Sequence, residues 1–270
     1  MIMWQRRLRV AARVCIGAGA LAATGVVAQA VWVMIATPRL PPPSDQPEGV
    51  AEVNGSADGR LATLALLGDS PVEGVGCASH EKTALSGCTA KALAMRLGCP
   101  VHWRAIGRGG FKTADVEATL LPELEGWCSS RRHCLDVLVL SCGVNDTLGC
   151  RSAAQFRADL DSLLGRLRGL VGEGCLILVL GLPDFDLLPF LPWPLSALLG
   201  QRGRALGSVM GAVVESHGAT LVQFPSLTSV AREHGAAIAD LLASDGFHPE
   251  GLGSELLGDL LAEAVEDTLE

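Results

Sequence analysis

The chain has no tyrosine, and its six phenylalanines and five tryptophans leave it only 4% aromatic. A protein that reads single-stranded nucleic acid needs aromatic platforms interleaved with cations, and both are scarce. Lys and Arg number 21 against 29 Asp and Glu, for a formal net charge of −8. Four of those cations, Arg6, Arg7, Arg9 and Arg13, sit in the first 13 residues, where there is no acid. The rest of the chain holds 17 cations against 29 acids, a net −12, which repels phosphate backbones and argues against a nucleic-acid partner. Neither a C-x-x-C pair nor paired histidine spacing occurs, so metal knuckles and thioredoxin-like chemistry are disfavoured and no metal or cofactor is implied. G-x-S-x-G, G-x-G-x-x-G and the P-loop pattern are also missing, which disfavours α/β-hydrolases and nucleotide-binding folds.

What is present is 270 residues, 49% hydrophobic, enough for one α/β domain with an appendage. From Val14 to Thr37 no Asp, Glu, Lys or Arg appears. At about 1.5 Å per residue such a stretch is long enough to cross a hydrocarbon core of roughly 30 Å. With the arginines before it, the positive-inside bias keeps residues 1–13 cytoplasmic and exports the residues beyond the run. The expectation is a signal anchor over 14–37, giving a single-pass membrane protein with an extracytoplasmic folded domain. Ala28-Gln29-Ala30 also fits a cleavable signal peptide, which would make the protein secreted. Residues 38–60, opened by Pro38-Arg39-Leu40-Pro41-Pro42-Pro43, read as a Pro/Gly-rich tether, and 61–270 as the folded domain. Asn54-Gly55-Ser56 matches a glycosylation sequon.

Nine cysteines fit an exported protein. Apart from Cys15 they are even in number, and Cys128 with Cys134, or Cys142 with Cys150, would close short loops. The other reading is that they are buried free thiols acting as small apolar residues.

Within 61–270, apolar runs of strand length at 61–67, 101–106, 135–140, 175–180 and 219–222 alternate with helical-period segments at 81–97, 113–125, 153–170, 195–217 and 252–268. That alternation predicts a parallel sheet covered on both faces, with function gathered beyond the strand C-terminal ends. After the first strand comes Gly68-Asp69-Ser70 and after the second Gly107-Arg108-Gly109-Gly110. Gly143-Val144-Asn145-Asp146 follows the third, and Asp245-Gly246-Phe247-His248-Pro249 precedes the last helix. These are the parts of an acyl-transfer site. The Ser70 hydroxyl needs a base, His248 titrates in the working range, and Asp245 can orient the ring. The Ser70 and Gly110 N–H groups and the Asn145 amide supply neutral donors for an oxyanion. Asn145-Asp146-Thr147 is a sequon by letter only, since an oxyanion donor must stay unmodified.

Those four blocks, in that order, resemble the SGNH/GDSL hydrolase family over residues 61 to about 268. The resemblance implies a flavodoxin-like three-layer α/β/α sandwich with a parallel sheet. It also implies a metal-free serine esterase or lipase, with Ser70, Asp245 and His248 catalytic and Ser70, Gly110 and Asn145 forming the oxyanion hole. Pro71 departs from the leucine usual after Gly-Asp-Ser, and the doubled Gly109-Gly110 leaves a one-residue ambiguity in the donor. On the same fold, carbohydrate O-deacetylation or acyl transfer are alternatives, and a non-catalytic surface-binding domain is a third. The segment Leu182–Pro194 carries four prolines among Leu, Phe and Trp. It predicts a loop in which Leu188, Phe190 and Trp193 wall an acyl pocket or rest on a membrane surface, or one that simply packs on the core.

Overall fold

A computed structural model describes residues 24–53, 61–130, 135–223 and 225–269. The described residues open with a helix, α1 (24–36), followed by strand β1 (Glu48–Ala51), β2 (Ala62–Gly68), the single turn α2 (Ser70–Glu73), α3 (Leu85–Leu97) and β3 (Val101–Gly107). Next come α4 (Thr113–Asp115), a π-helical stretch at Val116–Leu120, α5 (Leu121–Ser129), β4 (Val137–Ser141), α6 (Val144–Leu148) and α7 (Ala153–Val171). β5 (Leu176–Leu180), α8 (Leu195–Ser216), β6 (Thr220–Val222), α9 (Leu227–Glu233) and α10 (Leu252–Leu269) complete the order.

The sheet runs β1-β3-β2-β4-β5-β6. Strands β2, β4 and β5 are buried and almost wholly apolar because both of their faces are covered. Leu64, Leu66, Val137, Val139, Leu178 and Leu180 pack under α3 and α10. Their neighbours Ala65, Leu67, Leu138, Leu140, Ile177 and Val179 pack under α5, α7 and α8. That alternation makes three layers.

The expected all-parallel sheet is corrected in one respect. β1 pairs antiparallel with β3, Glu48 opposite Arg104 and Ala51 opposite Val101, so the sheet is mixed. This strand lies in the stretch assigned to a tether, and residues 38–53 are bound to the domain. Pro47 O accepts from Ala105 N at 2.8 Å and Pro41 O from Gly76 N at 3.0 Å. The Asp45 carboxylate accepts from Ser79 Oγ at 2.8 Å and His80 N at 2.9 Å. The Pro-rich run thus satisfies an edge strand and a turn that would otherwise face water. The same turn explains why α3 begins at Leu85 and not at 81: Thr83 Oγ1 accepts from the N–H groups of Ala78 and Ser79. The sequon at Asn54 lies outside the described residues.

The spanning segment expected over 14–37 also falls partly outside them. Its described part, α1, is docked on the domain, and among the described residues no helix is long and apolar enough to cross a membrane. No bridge joins Cys142, which is buried, to Cys150, which is exposed. Cys77, Cys88, Cys99 and Cys175 are likewise buried thiols; Cys15 and Cys134 lie outside the described residues.

One glycine fixes the sheet's exit. Gly68 ends β2 with φ +152°, and a Cβ there would sit 2.0 Å from Ser141 O on β4. Gly68→Ala is expected to cost about 3 kcal/mol or more, through backbone strain and a clash that neither strand can relieve. A thermal melt checks this.

Candidate active site

The three central strands end on one edge, and each delivers part of the site. β2 passes through Gly68-Asp69 into α2, where Ser70 is the first residue. Its N–H is one of the orphan donors of a helix start. β3 passes into the turn at 108–111, closed by Phe111 N donating to Arg108 O at 3.3 Å. β4 passes through Gly143 into α6, which carries Asn145. The fourth contributor precedes α10: Ala243 N donates to His248 O at 2.8 Å, and Leu242 bridges Pro249.

Asp245 organises that last loop. Its Oδ1 accepts from the N–H groups of Phe247 at 2.9 Å and His248 at 3.1 Å, and its Oδ2 lies 2.6 Å from His248 Nδ1. An ionised carboxylate only accepts, so the Nδ1 proton points to Asp245 and Nε2 is left as the free lone pair. Burial works against ionising Asp245, yet the hydrogen bond from His248 and the N–H bonds from Phe247 and His248 outweigh it, holding the carboxyl below its ordinary range.

His248 and Ser70 line the same cavity, about 530 Å³ including its open mouth, with apolar walls from Val144, Leu180, Leu188, Leu227, Leu242 and Phe247. Ser70 is 7% exposed. Of the three loop residues read as acyl-pocket wall, Leu188 lines the cavity. Phe190 stands behind it, its ring 4.9 Å from Phe247. Trp193 is 79% exposed and does not reach the cavity, which corrects its assignment to the wall.

Gly109 and Gly110 divide the work of the second block. Gly109 N donates to Glu73 Oε2 at 2.6 Å, so its N–H is taken. Gly110, at φ +82° with open space around it, keeps an N–H without a partner among the described residues. Asn145 Nδ2 donates to Phe111 O at 2.9 Å and, at 3.4 Å, to Asp69 Oδ2. Thr113 donates to Asp146 Oδ2 from both N and Oγ1 at 3.0 Å, tying α4 to α6 and so the glycine turn to the asparagine. Sequence reasoning missed Glu73 and this Thr113–Asp146 tie. No pattern in the sequence links Glu73 to the glycine turn, and only the fold brings Gly109 to it.

Asp69 is fully buried. Burial pushes its carboxyl up to about 6, against the lowering effect of the hydrogen bond from Ser141 Oγ at 2.7 Å. A carboxyl raised on folding is protonated more in the native chain than in the unfolded one between about 4 and 6. Stability owed to it is therefore lost as pH rises through that window. Asp69→Asn cannot titrate, so the stability of the native sequence relative to this variant is expected to fall by about 2 kcal/mol between pH 4 and pH 7. Urea denaturation of both proteins across that range measures the difference.

Among the described residues no three His, Cys, Asp or Glu side chains gather as a metal site. Residues 66–256 match the sequence profile of the GDSL-like lipase/acylhydrolase family. The chain belongs to that family. As a GDSL-like hydrolase it is 26% identical to a GDSL-like esterase of Mycobacterium tuberculosis, over 93% of this chain and 82% of that protein. Its fold is similar to that of an acetylxylan esterase from Geobacillus stearothermophilus, with a TM-score of 0.54 at 17% identity, covering 76% of this chain and 94% of the other. TesA is similar to the same degree, with a TM-score of 0.54 at 23% identity over 76% of this chain and 98% of its own. This GDSL-like hydrolase is a carboxylic ester hydrolase of SGNH type.

Proposed function

We propose that Ser70 is the nucleophile, His248 the base and then the acid, and Asp245 the residue that orients His248, in ester hydrolysis through an acyl-enzyme. The observation that carries this reading is one apolar cavity lined by both Ser70 and a His248 whose Nδ1 is held by Asp245. The Ser70 hydroxyl adds to the ester carbonyl as its proton passes to Nε2. The tetrahedral oxyanion is met by the N–H groups of Ser70 and Gly110 and by the Asn145 amide, whose long contact to Asp69 is the one it would exchange. His248 returns the proton to the departing alcohol, and a water activated by the same ring then releases the acid.

The apolar lining suits a hydrocarbon acyl chain on the acid side of the ester. The test is hydrolysis of p-nitrophenyl esters from acetate to long chains by the full chain. Leu188→Ser is expected to cut turnover of octanoate about tenfold more than that of acetate, because a polar group replaces a wall contact of several methylenes. Equal losses on both esters would contradict an acyl role for this cavity. We also assign the catalytic domain to the outer surface of the exporting membrane, where residues 14–37 hold it. Supporting this are the uncharged run and the arginines before it. Protease protection in intact cells checks the side.

A further inference from the structure

α1 has two apolar faces. Val26, Ala30 and Val33 pack against a cluster built from Phe185, Leu188, Leu191, Leu195 and Leu199. Gln29 fastens this face, its Nε2 donating to Trp193 O at 2.9 Å and its Oε1 accepting from Leu195 N at 3.3 Å. On the other face Val27, Val31, Trp32, Met34 and Ile35 are 49–80% exposed. In the loop that Gln29 grips, Trp193 is 79% exposed, and Leu187 and Leu198 are exposed nearby in sequence. A helix that is apolar all round belongs in protein or in lipid, and here protein covers one side only.

This surface adjoins the chemistry. Val144, Leu188, Leu227 and Phe247 belong both to the cluster under α1 and to the lining of the Ser70 cavity. The cluster that receives α1 thus also supplies part of the cavity's lining. Charge and chain length identify what covers the outer face. Residues 14–37 carry no charge, while Arg6, Arg7, Arg9 and Arg13 precede them and Arg39 comes after, a pattern suited to anionic headgroups flanking an apolar layer. Only ten uncharged residues, 14–23, precede α1. Even as a helix they would rise about 15 Å, half of a roughly 30 Å core. With α1 docked, the domain is held against the bilayer and not out on a stalk.

We propose that the outer face of α1 and the adjoining Trp193 loop rest on a bilayer containing anionic lipid, so that the mouth of the Ser70 cavity opens at the lipid interface and takes acyl chains from it. The proposal rests on the membrane anchoring assigned above. The full chain is mixed with phosphatidylcholine and phosphatidylglycerol vesicles whose acyl chains are brominated, and tryptophan emission is followed. Quenching is expected, with a measurable part of it lost in Trp193→Phe. A double variant, Trp32→Glu with Ile35→Glu, changes only exposed positions. It is expected to lower hydrolysis of a long-chain ester embedded in the vesicles about tenfold while leaving p-nitrophenyl acetate turnover in solution within about twofold. Vesicle binding in which Trp193→Phe leaves the quenching unchanged would overturn the proposal and keep the anchor. Unchanged turnover of the embedded ester by the double variant would overturn it too. Failure of the full chain to sediment with vesicles would overturn the anchor as well.

Discussion

Ser70→Ala is expected to leave a folded protein whose hydrolysis of p-nitrophenyl acetate falls by about 10³-fold or more, with KM little changed. The fold survives because Ser70 contributes its backbone, not its hydroxyl, to local structure: Val75 N donates to Ser70 O at 3.1 Å, and α2 is capped from Asp69. What is lost is the bond-forming group. Gly110 and Asn145 keep their positions through Glu73, Phe111 and the Thr113–Asp146 tie, so some stabilisation of a developing oxyanion persists and a small residual rate is expected. Circular dichroism and a steady-state assay on one preparation separate loss of chemistry from loss of fold. A variant that retained a tenth or more of the activity would remove Ser70 from the mechanism.

The second large effect belongs to Asp245→Asn. Asparagine keeps an Oδ1 acceptor for the N–H groups of Phe247 and His248, so the loop holds its shape. Its NH₂ group then faces Nδ1 where a carboxylate accepted before, which forces the ring proton onto Nε2, the wrong side for a base. The expected loss is between about 10² and 10⁴ in kcat with nearly constant KM. Asp245→Ala opens the loop as well and should also lower the melting temperature. Because the folded carboxyl is held below its ordinary range, its contribution to stability is present above that range and lost as acid titrates it through the lowered value. An Asp245→Asn enzyme of undiminished kcat would contradict the orienting role.

Much of this was legible because it rests on local patterns. The five runs became β2 to β6, and β2, β4 and β5 were the plainest because a strand buried on both faces is apolar at nearly every position. The blocks holding Ser70, Asn145 and His248 were readable because each sits at a chain turn next to its own strand or helix. The rest depended on distant partners. β1 is Glu-Gly-Val-Ala inside a proline-rich stretch, and nothing local marks it as a strand until β3 offers an edge. Trp193 looked like a pocket residue by composition, but the backbone contact to Gln29, more than 160 positions earlier, turns its side chain outward. The choice between Gly109 and Gly110 could not be made from letters alone. Glu73, which takes up the Gly109 N–H, is recruited only when α2 lies across the end of β3.

The central claim is that Ser70 is made nucleophilic by His248, and active-site labelling tests it most directly. The full chain is treated with a fluorophosphonate and the adduct mapped by peptide mass spectrometry, alongside His248→Ala. The expected result is a single phosphonylated residue, Ser70, in the native protein and labelling slowed by about 10³-fold or more in the variant. An adduct on another residue, or no adduct on a protein that still hydrolyses esters, would contradict it.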